Sequence, residues 1–246
     1  MVQVVFLGTA DAFSSGGRGH TSVLVEDSQG RLLVDCGATT PHALARLGIE
    51  RAGVGAVALT HLHGDHFAGT AFLLLEGAKK GRGPLLLAGP PLAASRVEAL
   101  FRTLYPTTAD RPRGFFLEYR ELEPGEAIDL GGRRLVAFEA RHPAGAPLSL
   151  SYRLETDGRT LAFSGDTGPE ADLEALAAGA DLFVCECSLA REERSPKHLS
   201  VDDVERRRPG WTAKRVVLTH LSEASRREAA ALSGVEVADD GLVVEL

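Results

Sequence analysis

The chain has 246 residues, 44% of them hydrophobic and 25% charged, ordinary for a globular protein with a sizeable core. A formal net charge of −7 disfavours tight non-specific binding to nucleic acid, which needs Lys and Arg against phosphate. No apolar run approaches a membrane span, and three cysteines are too few and too odd in number for a disulfide framework, so a cytoplasmic location is expected.

The N-terminus, Met1 to Leu7, lacks a basic region and a cleavage site. It reads as a first strand and not as a signal peptide. The pattern predicts strands near 2–8, 20–26, 31–36, 55–60, 84–88, 114–120, 132–140, 148–155, 159–165, 181–186, 214–219, 234–238 and 241–245. It predicts helices near 41–48, 66–77, 90–104, 169–178, 200–207 and 223–232. Gly16, Gly17 and Gly19 form a glycine-rich loop whose amides could approach a phosphate, or which is simply flexible. Pro90-Pro91 suits the start of the helix that follows, and Ser200 with Asp203 resembles a capping arrangement. The segment 77–123 is expected to supply a lid or an interface. Cys185 and Cys187 are read as one side of a buried strand, not as metal ligands. The basic residues at Arg191, Arg194, Lys197 and Arg206 to Arg208 are interleaved with acidic ones and read as solvated helix faces.

An internal echo organises the chain. Residues 22–37 and 151–168 each read as a β-hairpin, with turns at Gln29-Gly30 and Asp157-Gly158, whose second strand ends in Asp-x-Gly. Downstream of each, an apolar strand ends in Leu-Thr-His-Leu, at Leu59–Leu62 and Leu218–Leu221. Two sheets facing each other, with helices outside, would bury a continuous apolar interface. If the halves pair about a pseudo-two-fold axis, His61 and His220 converge at one rim with Asp166 and Asp35. The expected unit is therefore a single domain, 1–246, with half-repeats of about 1–125 and 126–246.

The densest chemistry is His61-Leu62-His63-Gly64-Asp65-His66, where a short buried strand spills into a loop. Neutral imidazoles and a carboxylate suit a zinc-like divalent cation. His61 and His63, two apart, leave one face of an extended segment together. Four such side chains on so short a loop can hardly all bind one tetrahedral ion, and they suit two neighbouring metals.

With His142, Asp166 in Ser-Gly-Asp-Thr and His220 in Leu-Thr-His-Leu-Ser, this set resembles the metallo-β-lactamase superfamily. The resemblance fills all seven ligand positions in order. It implies an α/β fold, the four-layer αβ/βα sandwich, with its site at one rim. It places one metal on His61, His63 and His142, a second on Asp65, His66 and His220, and Asp166 as the bridge. Zinc is the favoured cofactor, with manganese or iron as alternatives. A shared carboxylate and hydroxide would offset the repulsion of two close cations. Asp35 and Thr60 are expected either to orient imidazoles through hydrogen bonds or, for Asp35, to satisfy turn amides.

Within that superfamily, Glu186 in Val-Cys-Glu-Cys-Ser, His198 in Lys-His-Leu-Ser and the opening Leu7-Gly8-Thr9 resemble the ribonuclease Z-like branch. The resemblance implies catalytic roles for Asp65, His198 and Glu186: a metal-bridging hydroxide attacks phosphorus, His198 assists the leaving oxygen, and Glu186 orients His198. Residues 143–165 leave no room for a tRNA-gripping arm, because the hairpin consumes most of them. The loop 13–20 also lacks the Pro-Thr-Lys character of the tRNA enzyme. The expected function is a dinuclear metal-dependent phosphodiesterase acting on a small phosphodiester. A lactonase, thioesterase, sulfatase or amidase on the same metals is the alternative. A tRNA 3′-processing endonuclease and a non-catalytic metal-binding protein rank lower. A homodimer is an expectation by analogy alone.

Overall fold

The computed structural model describes residues 1–142 and 148–246. Pro143, whose place directly after His142 in the sequence suits a loop at a strand end, lies outside the described residues. The first sheet is built from β1 (Gln3–Gly8), β2 (Ser22–Asp27), β3 (Gly30–Val34), β4 (Val54–Ala58), β5 (Leu85–Gly89) and β6 (Leu117–Glu121). The second holds β7 (Ala127–Asp129), β8 (Arg134–Ala140), β9 (Ser149–Thr156), β10 (Arg159–Phe163), β11 (Leu182–Glu186), β12 (Arg215–Thr219) and β13 (Glu236–Val237). The last strand, β14 (Val243–Glu245), returns to the first sheet beside β1.

Each sheet changes character midway. β1, β2 and β3 are antiparallel, and β3 to β6 are parallel. Likewise β8, β9 and β10 are antiparallel, and β10 to β13 are parallel. Parallel strands need crossovers, and these supply the outer helices. Over the first sheet lie α1 (Thr40–Arg46), α2 (Gly64–Phe67), α3 (Thr70–Lys80), α4 (Ala93–Leu104) and α5 (Pro106–Ala109). Over the second lie α6 (Leu173–Ala177), α7 (Val201–Arg207) and α8 (Glu223–Ala229).

The strands are apolar on both faces because both faces are covered. In β1, Val4 and Phe6 join the layer between the sheets, while Val5 and Leu7 face the helices. Across the inter-sheet layer, Val23, Val25 and Leu32 belong to one cluster with Tyr152, Leu154 and Phe163. Cys185 and Cys187 pack with Phe183 and Trp211 on the helix side of the second sheet, and both thiols are free.

Two polar ties fix the sheets against each other. Near the end of β4, the buried Tyr152 hydroxyl donates to Leu59 O at 2.8 Å, and Leu150 N donates to Thr60 O at 2.8 Å. At the opposite end of these strands, Arg133 makes a two-point contact with Asp27, at 2.6 Å each. Their side chains are 2% and 0% exposed, and Thr156 Oγ1 donates to the same carboxylate. Removing one partner leaves a buried charge uncompensated, so Asp27→Ala should cost roughly 3–5 kcal/mol. A thermal melt should fall by roughly 10 °C. A change of only a degree or two would remove this pair from the set of stabilising contacts.

The architecture differs locally from the pattern-based expectation. The single helix expected over 66–77 is two, α2 and α3, broken at Ala68-Gly69. There Gly69 N donates to Cys36 O at 2.8 Å. A Cβ on Gly69 would lie 2.3 Å from Gly37 O, so the chain must pass here without one. The first hairpin turns on Ser28-Gln29, one residue early, since Asp27 pairs with Gly30. The short β7 and α5 were not expected. The segment 77–123 is built into the first sheet and its outer helices. Among the described residues, no helix is long and apolar enough to cross a membrane.

Candidate metal centre

Ligands of open α/β sheets gather at the carboxyl ends of the strands, and the chemistry-bearing residues lie there. Asp35 follows β3, His61 follows β4, His142 follows β8, Asp166 follows β10, Glu186 ends β11 and His220 follows β12. Asp35 and His220 adopt positive φ, 60° and 53°, a conformation costly for residues other than glycine and concentrated at functional sites. Gly165 also has positive φ, and a Cβ there would sit 2.8 Å from Thr60 Cβ. Glycine therefore lets Asp166 close against the first sheet.

Two groups of donor atoms result. His61 Nε2 lies 3.1 Å from His63 Nδ1, and His142 Nε2 lies 3.2 Å from the same atom. In the second group His66 Nε2 is 3.3 Å from Asp65 Oδ2 and 3.2 Å from Asp166 Oδ1. His220 Nε2 is 3.3 Å from both Asp65 Oδ2 and Asp166 Oδ2. Asp166 stands between the groups, with Oδ2 3.8 Å from His61 Nε2. A zinc–nitrogen bond of about 2.0–2.1 Å implies donor–donor edges of roughly 3.3 Å in a tetrahedron, which matches these spacings.

The outward nitrogens explain why the inward ones are free. His66 Nδ1 donates to Asp35 at 2.8 Å. Thr60 Oγ1 donates to Asp35 and lies 3.2 Å from His61 Nδ1, whose proton it accepts. His142 Nδ1 donates to Lys197 O at 2.9 Å. His220 Nδ1 donates to Ser188 Oγ at 2.6 Å, and Ser188 Oγ donates to Glu186 Oε2 at 2.9 Å. Each Nδ1 partner turns the Nε2 lone pair toward the centre.

The buried, unpartnered atoms are the test of fit. His66 Nε2 and Asp166 Oδ1 are both buried without a hydrogen-bond partner, although they face each other at 3.2 Å. Buried polar atoms left unsatisfied are costly, and a divalent cation satisfies both at once. Electrostatics agrees. Burial pushes the imidazoles of His61, His63 and His142 below their usual range, so all three are neutral ligands. Burial opposes ionisation of Asp166 and Asp65, yet neighbouring imidazoles hold both carboxylates ionised. Burial also opposes charging of His66 and His220, but Asp166 and its fellow carboxylates raise them. The carboxylates thus favour positive charge at these two rings, as they would favour a bound cation in the same place.

His198 sits beside this centre, its side chain 23% exposed. Its Nδ1 lies 2.9 Å from Glu186 Oε1 and 3.9 Å from Asp166 Oδ2. Burial lowers its basicity, but the Glu186 carboxylate more than compensates and raises it to about 9. Glu186 is fixed in turn by Thr167 N and Ser188 N.

Every residue singled out from the sequence as a ligand or catalytic group, His61, His63, Asp65, His66, His142, Asp166, Glu186, His198 and His220, lies in this one neighbourhood. The glycine loop adds no donor to these groups. Gly19 N is spent on Asp240 at 2.7 Å, and Arg18 pairs with Asp239. Ser188 was missed, although its place two residues after Glu186, on the same side of the strand end, was the available signal. Ser188→Ala should weaken zinc binding by roughly 10–100-fold, as loss of an outer hydrogen bond to a ligand does. Competition with a chromogenic chelator measures this, and unchanged affinity would deny Ser188 that role.

Comparison with known proteins agrees with the fold. The family profile described as Anti-Pycsar protein Apyc1 matches residues 2–243. Ribonuclease Z of Mycobacterium bovis (strain BCG / Pasteur 1173P2) is 32% identical over 195 residues, covering 75% of this chain and 69% of the relative. The metallo-β-lactamase fold protein YhfI from Bacillus subtilis superposes with a TM-score of 0.82 at 22% identity, over 100% of this chain and 99% of its own. A diphosphatase from the PhnP family gives 0.77 at 20% identity, over 100% and 98%. The chain therefore belongs to the family described as Anti-Pycsar protein Apyc1, within the ribonuclease Z-like branch of the metal-dependent hydrolases that share the metallo-β-lactamase fold.

Proposed function

We propose that the protein is a phosphodiesterase with two divalent ions, zinc by the chemistry of its donors, acting on a small phosphodiester. The observation that carries this reading is His198, a partly exposed imidazole held by a buried carboxylate at the edge of a centre that needs cations. His61, His63 and His142 would hold one ion, and Asp65, His66 and His220 the other, with Asp166 shared. When bound, such a pair supplies Lewis acidity and a nucleophile at neutral pH.

The chain's own groups do the rest. Nδ1 of His198 is committed to Glu186, so its Nε2 proton is the one available to the leaving oxygen. Glu186 keeps that ring charged and fixes its plane. Between His142 and Asp166 the described residues hold only the β9–β10 hairpin, and no arm that could grip tRNA. Many surface arginines are already paired, as Arg191 with Asp202, Arg207 with Glu174 and Arg215 with Glu236. A small anionic diester fits this surface better than a long polyanion.

The test is a substrate panel on the zinc-loaded protein: bis-p-nitrophenyl phosphate, an aryl sulfate, a lactone, a thioester and a precursor tRNA. The diester should turn over fastest. Preferential turnover of the lactone, thioester or sulfate would replace this reading with an ester hydrolase, and efficient tRNA cleavage would restore the macromolecular substrate.

A further inference from the structure

The segment between β11 and α7 carries three basic residues, Arg191, Arg194 and Lys197. Two are spent: Arg191 pairs with Asp202 and Glu205, and Arg194 pairs with Asp202. Lys197 joins no ion pair among the described residues, although it is the neighbour of His198. Its backbone is pinned on two sides. The carbonyl accepts from His142 Nδ1 at 2.9 Å, and the amide donates to Ser195 Oγ at 3.0 Å. Pro196, just before it, packs against Gly168 so closely that a Cβ there would meet Pro196 O at 1.9 Å. The side chain is exposed, and its charge reaches the exposed His63, whose imidazole it helps to depress after burial has done most of the work. An exposed lysine, its main chain tied to the buried His142 and directly preceding His198, thus stands beside the centre on the side of the exposed His63.

We propose that Lys197 is a substrate-positioning residue whose ammonium binds a non-bridging oxygen of an anionic phosphoryl group at the mouth above His63 and His142. This rests on the phosphodiesterase reading and deepens it, because a fixed positive charge there selects anionic substrates over neutral esters and lactones on the same metals. Lys197 adds no proton transfer. It acts through charge, raising the local concentration and binding of the anion.

The experiment compares wild type, Lys197→Gln and Lys197→Arg, all zinc-loaded and matched for zinc content. The first readout is the affinity for inorganic phosphate by calorimetry. The second is KM and kcat on bis-p-nitrophenyl phosphate at low and high salt. Lys197→Gln should bind phosphate about tenfold more weakly and raise KM by a similar factor, with kcat nearly unchanged, the pattern of lost uniform binding. Its KM should also lose part of the salt dependence seen in wild type. Lys197→Arg should restore all of these.

Wild-type phosphate affinity in Lys197→Gln would overturn the proposal. So would a Lys197→Arg as impaired as the glutamine, or zinc lost from Lys197→Gln, since the tie to His142 uses the retained main-chain carbonyl. If wild type fails to cleave the diester, the phosphodiesterase reading falls, and the phosphate affinities still decide the role of Lys197.

Discussion

Replacing Asp166 with Ala should leave the protein unable to hold at least one of the two proposed ions, with turnover lost alongside. The expectation follows from position. Asp166 Oδ1 is buried and unpartnered opposite His66 Nε2, and Oδ2 faces His220 and, at longer range, His61. No other described carboxylate lies between the two imidazole groups. Loss of a direct ligand should exceed the roughly 10–100-fold that loss of an outer hydrogen bond costs. Two neighbouring cations without a shared anion also repel each other. Elemental analysis after gel filtration measures the effect directly. Retention of both ions by a folded Asp166→Ala would remove Asp166 from the bridging position.

His198→Ala is expected to do the opposite: metal content stays intact, and turnover falls by about 10²–10⁴-fold. The imidazole lies at the edge of the centre, and its Nδ1 is occupied by Glu186 at 2.9 Å. The size of the loss should depend on the leaving group. A diester that expels an alkoxide needs the Nε2 proton and should suffer most. One that expels p-nitrophenolate, a stable anion, should suffer far less. Glu186→Gln should follow the same leaving-group trend, since it uncharges and loosens the ring. Equal activity of His198→Ala and wild type on an alkoxide-releasing diester would end the acid assignment.

The parts of the site that were legible in the sequence are those written in short-range pattern. His61, His63, Asp65 and His66 share one loop, so their chemistry is visible at a glance. Asp166 and His220 became visible because each closes a strand in a repeated plan. That plan holds in the paired run of antiparallel and then parallel strands in each sheet. Ser188 and Lys197 were not legible as parts of the site, because their roles arise from contacts across the fold: a hydroxyl under His220, and a carbonyl beneath His142. The break between α2 and α3 was hidden for the same reason, as apolar periodicity continues through Gly69 and the ladder is interrupted only where Gly69 N turns to Cys36 O. At Gly19 the sequence signals backbone freedom without saying what the freed amide will meet, and Asp240 meets it. β7 and α5 are too short to leave a periodic trace.

In the proposed centre, strand ends from both sheets clasp two cations around Asp166. Crystals grown with zinc, with diffraction measured on both sides of the zinc absorption edge, test it most directly. Two anomalous peaks are expected, one among His61, His63 and His142 and the other among Asp65, His66 and His220, with the Asp166 carboxylate touching both. A single peak, or ions bound away from these residues while the imidazoles stay unligated, would contradict it.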